Sequence, residues 1–245
     1  MKQPVIIAHR GASAAAPENT IAAFKRAVEL GAGGIEFDVQ LSLDGQPVVI
    51  HDETVDRTSN GTGWVKDKTL EELKTLDFGS WFAPGFSGER ISTLEEVLFL
   101  LSSWTGMLNI EIKSGPVFYH GIEKKVVGLV RKYNMSHRVI ISSFNHYSLV
   151  EVAGIAPEIG TGVLYMEGLY EPWSYAIKLG ACAVHPLFHT LVPEVVEGCR
   201  ENGIAVNTFT VDRPELIKKM IVMGVDGIIT NVPDIALDIV RETGG

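Results

Sequence analysis

Short apolar runs rich in β-branched residues recur along this chain with helical patterns between them, and no other feature constrains the fold as strongly. The runs are Val5 to Ala8, Gly34 to Val39, Leu108 to Ile112, Val139 to Ser143, Gly160 to Leu164, Ala181 to His185, Ile204 to Phe209 and Asp226 to Thr230. A strand that is apolar on both faces must be covered on both, as in a parallel sheet. Strand, helix, strand is the unit that builds such sheets. Asn19-Thr20 opens one of the helices, with Ile21, Phe24, Ala27 and Val28 at helical spacing and Gly31 as its stop. Eight alternating units within 245 residues predict an α/β chain folded as a (β/α)8, or TIM, barrel. An open doubly wound sheet is the rival, but it ordinarily stops at fewer strands and carries a Gly-rich nucleotide turn that this sequence does not show.

After His51 the alternation lapses for about forty residues, longer than ordinary loops. Asp52 to Arg90 is therefore expected to be a small insertion after the second barrel strand, residues 52–90 within a single catalytic domain spanning 1–245. Inside it Thr69-x-x-Glu72 has the spacing of a capping box before Leu70, Leu73 and Leu76. Trp64, Trp81, Phe82 and Phe86 are expected to form the insertion's own core, with Trp81-Phe82 as a candidate pocket wall.

Successive strand side chains point to opposite faces, so Glu36 and Asp38 share one face of the second run. Like charges side by side cost energy unless a cation or a proton separates them. Asp44-Gly45 is a two-residue hairpin signal. With Leu43 set opposite Gln46, the returning arm places His51 opposite Asp38.

In a barrel the active site forms where the strands end. The first strand delivers His9 and Arg10, the second Glu36 and Asp38, and the third Glu111 and Lys113. Three carboxylates at one mouth make an all-oxygen site, which suits one divalent cation of the hard kind, Mg²⁺ or Ca²⁺, better than zinc. The plainer alternative is that the acids only pair with Arg10 and Lys113, but barrel interiors are ordinarily filled with Val, Ile and Leu, and charges there need a reason. Two histidines brought by separate elements suggest a base that takes a proton and an acid that returns one. Arg10 and Lys113 offer donors to an anion, Arg through its fork. Together these groups describe phosphoryl chemistry without a covalent nucleophile on the enzyme.

The net charge of −9 argues against a nucleic-acid or anionic-membrane partner, which is usually met by clustered Lys and Arg. No run approaches membrane-spanning length, and the first ten residues lack the apolar region of a signal peptide. Cys182 and Cys199 are too few for a disulfide framework and are expected as reduced, packed thiols. A cytoplasmic protein with a small-molecule substrate and no stable membrane association is the expectation; oligomeric state is not legible.

His9-Arg10-Gly11, Pro17-Glu-Asn-Thr20, Ile35-Glu-Phe-Asp-Val39, Val48-Val-Ile-His-Asp52, Arg57-Thr58, Glu111-Ile-Lys113 and Asp226-Gly-Ile-Ile-Thr-Asn-Val-Pro233 together resemble the glycerophosphodiester phosphodiesterase family, in order and over nearly the whole chain. The resemblance implies a barrel with an insertion after its second strand. It implies Glu36, Asp38 and Glu111 as ligands of one divalent cation, His9 and His51 as the acid/base pair, and Arg10 and Lys113 on the phosphate. The implied reaction hydrolyses glycerophosphodiesters, such as glycerophosphocholine or glycerophosphoethanolamine, to sn-glycerol 3-phosphate and an alcohol. Phe209 stands where the family often has Trp in the seventh strand, which keeps an apolar substrate wall and loses the indole N–H. Two rival readings are a lysophospholipase D or sphingomyelinase D activity, which needs a lipid-accepting groove, and an aldolase-like barrel with Lys113 as a Schiff-base lysine.

Overall fold

The computed structural model describes residues 3–243; Met1 and Lys2 of the amino-terminal segment, and Gly244 and Gly245, lie outside the described residues. Eight parallel strands close into a barrel: β1 (Val5–His9), β2 (Gly34–Leu41), β5 (Met107–Ile112), β6 (Val139–Ser143), β7 (Gly160–Tyr165), β8 (Ala183–Pro186), β9 (Ala205–Thr208) and β10 (Gly227–Thr230). Closure comes from β1, which pairs with β10 on one side and β2 on the other, so the ring has no free edge. The fold is the (β/α)8 barrel. Helices α1 (Ile21–Leu30), α3 (Leu94–Leu100), α4 (Ile122–Lys132), α5 (His146–Ile155), α6 (Pro172–Leu179), α7 (Pro193–Glu201), α8 (Pro214–Met223) and α9 (Pro233–Thr243) follow the strands in turn. Thr20 caps α1 by accepting from Ala23 N, and the left-handed Gly31 ends it.

The arm after β2 differs from its expected register. β3 (Pro47–Val49) pairs antiparallel with β2, Val39 opposite Val49 and Leu41 opposite Pro47. Ser42 N donates to Gln46 O at 3.0 Å, so the loop holds three residues, Leu43, Asp44 and Gly45. Gly45 sits at φ +73°, the left-handed position that ends such three-residue loops. The pairing is thus shifted by one residue, and it is Ile50 whose N–H meets the Asp38 carbonyl, at 3.0 Å. A shift of one would turn His51 to the wrong face if the strand continued. Instead β3 stops at Val49 and His51 leaves the ladder.

The inserted segment returns through α2 (Leu70–Thr75) to the two-residue β4 (Ser92–Thr93), which pairs with β3. Thr69 and Glu72 form the expected capping box. Its core is not the aromatic quartet: Trp64 and Trp81 are exposed, while Val55, Val65, Leu73, Phe78 and Ile91 are buried against Val48 and Ile50. Three of the four aromatics, Trp81, Phe82 and Phe86, stack edge-to-face on one another outside this cluster, and Trp64 carries Lys66 over its ring. Of the two thiols, both unbridged, Cys199 is buried and Cys182 is exposed rather than packed. Among the described residues no helix is long and apolar enough to cross a membrane.

Two apolar layers clothe the barrel. One gathers Phe24, Phe37, Ile110, Val126 and Val152 on the side of the early strands, the other Val184, Val206, Ile217, Ile228 and Val240 on the side of the late ones. The barrel interior is more polar. His185 is fully buried there and its Nε2 accepts from Asn207 Nδ2 at 3.1 Å. Its ring fills the space over Gly162, where any Cβ would stand 2.6 Å from that nitrogen. Burial pushes the His185 pKa down to about 3. The folded state therefore needs a neutral ring, while the unfolded chain takes up a proton near pH 6.5. Stability contributed by His185 is complete above that pH and is expected to fall by up to roughly 1.4 kcal/mol per pH unit between about 6.5 and 3. Urea unfolding of the parent and of His185→Gln across that range measures it, the variant giving the flatter profile.

Candidate active site

β2 carries Glu36 and Asp38 on the inner face, and β5 places Glu111 in register opposite Asp38. One carboxylate oxygen from each of Glu36, Asp38 and Glu111 lies within 4.8 Å of the others. All three residues are buried, Asp38 to 1% exposure. Glu36 Oε1 and Asp38 Oδ1 are buried without a hydrogen-bond donor.

Their surroundings divide the charge unevenly. Burial, with Asp38 and Glu111 alongside, raises the Glu36 pKa well above the carboxylate range, and burial raises Glu111 as well. Burial pushes Asp38 the same way, but Arg10 and Lys113 outweigh it and hold its carboxyl below the usual range. Arg10 Nε stands 3.5 Å from Asp38 Oδ2, and Lys113 Nζ stands 3.7 Å from Asp38 Oδ1 and 2.8 Å from Glu111 Oε1. Asn19 adds a donor: its Nδ2 reaches Asp38 Oδ2 at 2.9 Å. Asn19 is therefore not merely part of the helix start; it is buried at φ +59° and turned onto a carboxylate. Arg10 N–H, also in the left-handed region, donates to Glu36 Oε2 at 2.9 Å.

Both predicted histidines reach this mouth. His9 ends β1 with Nε2 3.8 Å from Glu36 Oε2. Its Nδ1 meets Asn231 Oδ1 at 2.7 Å. Asn231 commits its own Nδ2–H to Asp212 Oδ2 at 2.7 Å and accepts from Ser13 Oγ at 2.8 Å, so His9 Nδ1 must be the donor. That leaves a lone pair on His9 Nε2. Burial, then the Arg10 charge, pushes the His9 pKa down to about 4. His51 instead has a carboxylate on Nδ1, Asp52 Oδ1 at 2.7 Å. Arg57 grips Asp52 through Nε and Nη2 and Glu18 through Nη1 and the same Nη2, while Glu18 also accepts from Arg10 Nη1 at 2.8 Å. Polar contacts thus run without a break from His51 through Asp52, Arg57, Glu18 and Arg10 to Asp38.

The sequence reading missed what sets His51 in place. Gln40 is fully buried and its Nε2 faces the carbonyls of Ile50, His51 and Asp52 at 3.1, 2.9 and 2.7 Å. Tyr119 OH donates to Gln40 Oε1 at 2.8 Å and fixes the amide's orientation. The signal was available, since the period of two that aligns Glu36 with Asp38 includes Gln40. Asn231, directly after β10, is likewise a polar residue at a strand end. Phe209 lies at the end of the seventh barrel strand, edge-to-face with Phe144 at 6.0 Å. Ser143 is spent on the backbone, donating to Ile112 O at 2.7 Å.

A barrel whose carboxyl-terminal mouth gathers three carboxylates, two imidazoles, an arginine and a lysine defines the phosphodiesterase class of this fold. The chain belongs to the glycerophosphoryl diester phosphodiesterase family, whose model matches residues 9–235. It is 56% identical over 240 residues to the glycerophosphodiester phosphodiesterase of Caldanaerobacter subterraneus subsp. tengcongensis, covering 98% of this chain and 99% of that one. Among solved structures it resembles an Oleispira antarctica phosphodiesterase in complex with the product sn-glycerol-3-phosphate, at TM-score 0.88 and 30% identity over 98% of this chain and 97% of that one. The glycerophosphodiester phosphodiesterase of Agrobacterium tumefaciens matches at TM-score 0.84 and 32% identity, over 96% and 99% of the two chains. The protein is a phosphoric diester hydrolase.

Gln40→Met keeps the volume and removes the donor shared by three carbonyls. Turnover is expected to fall about 10²-fold through misplacement of His51, with a stability loss of roughly 1–3 kcal/mol. Steady-state kinetics and denaturant unfolding on the same preparation check both.

Proposed function

We propose that this chain binds one divalent cation, Mg²⁺ or Ca²⁺, through Glu36, Asp38 and Glu111. With it the chain would hydrolyse glycerophosphodiesters such as glycerophosphocholine and glycerophosphoethanolamine to sn-glycerol 3-phosphate and an alcohol, in the cytoplasm. The observation that carries the reading is the gathering of three buried carboxylate oxygens within 4.8 Å. Their donor set is all oxygen, and Glu36 Oε1 and Asp38 Oδ1, which accept no hydrogen bond, fit a cation. When bound, a divalent cation neutralises phosphoryl charge and polarises a phosphoryl oxygen.

The remaining work falls to the chain itself. His9, holding its proton on Nδ1, has Nε2 free to accept the proton of the attacking hydroxyl. His51 carries Asp52 on Nδ1, an arrangement that supports an imidazolium able to donate from Nε2 to the departing alkoxide. As one P–O bond forms the other breaks, one proton goes to His9, and one leaves His51. Arg10 and Lys113 stand at the edge of the carboxylate cluster and supply donors for the phosphate. Phe209 supplies an apolar wall for the substrate.

Because Glu36 is held toward its protonated form, cation binding displaces a proton. Affinity should rise with pH, and titration calorimetry in buffers of different ionisation enthalpy should record proton release on binding. Glu36→Gln should abolish both binding and turnover while leaving the cation-free fold intact. Turnover of glycerophosphocholine that survives EDTA defeats the reading.

The histidines separate by substrate. His9→Ala and His51→Ala should each lose about 10² to 10⁴ in rate on glycerophosphodiesters. On a p-nitrophenyl phosphodiester, whose leaving group needs no proton, only His51→Ala should recover. Recovery of His9→Ala instead would reverse the assignment.

A further inference from the structure

A second cavity, of about 220 Å³, opens beside the third and fourth barrel strands on the same face as the carboxylate cluster. Two links tie it to the site. Ser114 in its wall directly follows Lys113, and Asn145 in the same wall donates from Nδ2 to Ser114 Oγ at 3.3 Å. Tyr119, also in the wall, sends its hydroxyl to Gln40, the residue that holds the His51 backbone.

The lining is acidic and aromatic. Glu123, in the first turn of α4, is only 5% exposed. Among the described residues its carboxylate has neither a hydrogen-bond donor nor a cation. The amino-terminal end of α4 accounts for an acid at this position. The residue is otherwise well covered, and its carboxylate, which meets no cation of the protein among the described residues, is left to the pocket it lines. Glu151 on α5 lines the pocket too, and Phe118 and Tyr147 stand exposed at its rim. His120 completes the wall, and among the described residues no Lys or Arg lines it. Two carboxylates repel a second phosphate, while a cation gains from the acids and finds exposed aromatic rings at the rim.

We propose that this pocket is the subsite for a cationic leaving alcohol, a protonated amine or quaternary ammonium of the ethanolamine or choline type, and that it makes the enzyme select such head groups over neutral ones. The proposal deepens the phosphodiesterase reading and rests on it for the position of the phosphate. A diester held by its phosphate at the carboxylate mouth has two arms. The uncharged glycerol arm has no use for two acids; the ammonium arm does.

The test compares kcat/KM for glycerophosphocholine and glycerophosphoethanolamine with that for glycerophosphoglycerol, whose head is neutral. The parent should favour the cationic substrates. In Glu123→Gln the ratio of cationic to neutral kcat/KM should fall about tenfold, mainly through KM, with a smaller fall in Glu151→Gln. Glu151 is exposed, so its variant keeps the comparison open if Glu123→Gln does not fold. A parent ratio near one, or ratios unmoved in the folded variants, overturns the proposal while leaving the phosphodiesterase reading standing. If the parent turns over none of the three, that reading fails instead. Titration of the full chain with choline alone then decides the subsite: saturable binding weakened in Glu123→Gln or Glu151→Gln supports it, and no saturation in the parent overturns it.

Discussion

Three carboxylates held together inside a barrel mouth are an electrostatic debt that the rest of the mouth is arranged to carry. In a low-dielectric interior, like charges a few ångströms apart repel strongly. The structure meets this in two ways. Asp38 remains charged because Arg10, Lys113 and the Asn19 amide converge on it. Glu36, with less help, is pushed toward its protonated form. The cations that stabilise Asp38 are themselves anchored, Arg10 by Glu18 and Glu18 by Arg57, so the charge compensation extends out to the inserted segment. Arg57 belongs to that segment and Asp52 opens it. The insertion is thereby part of the electrostatic structure of the mouth, although its packing core is separate.

The same arrangement distinguishes two imidazoles that look alike in sequence. Each uses Nδ1 for a structural bond and turns its other nitrogen loose, but the partners differ. His9 Nδ1 meets an amide oxygen, and burial together with the Arg10 charge holds its ring toward the neutral form; His51 Nδ1 meets a carboxylate. The asymmetry is built at long range, since Asn231 and Asp212 come from the last two barrel strands and their sequels.

Much of this was legible in the chain because strand geometry is simple. A period of two puts Glu36 with Asp38 and Glu111 with Lys113 whatever else is true, and the alternation of strands and helices carries those pairs to a barrel mouth. The hairpin was read less well. Asp44-Gly45 names a turn but does not reveal that Leu43 joins the loop, and that one residue changes the register. His51 still arrives, because its placement depends on Gln40 and a broken ladder rather than on cross-strand pairing. Asn231 with His9, and Tyr119 with Gln40, join residues 222 and 79 apart in the chain, which no local pattern encodes. The insertion's tryptophans misled for a different reason: large aromatics promise burial, but this small segment buries Phe78 with smaller aliphatics and leaves both tryptophans exposed.

The two apolar layers that clothe the barrel have a consequence for how such a protein can change. Nearly every ionisable group of the mouth hangs from residues 9–113, over the first layer, whereas the loops after β7, β8 and β9 rest on the second. Substitutions in the later loops reshape what surrounds the phosphate without disturbing the packing that holds its charges. The halves still meet at one point, since Asp212 in the loop after β9 holds Asn231 on His9, and a change there would reach the reacting groups from the far side of the ring.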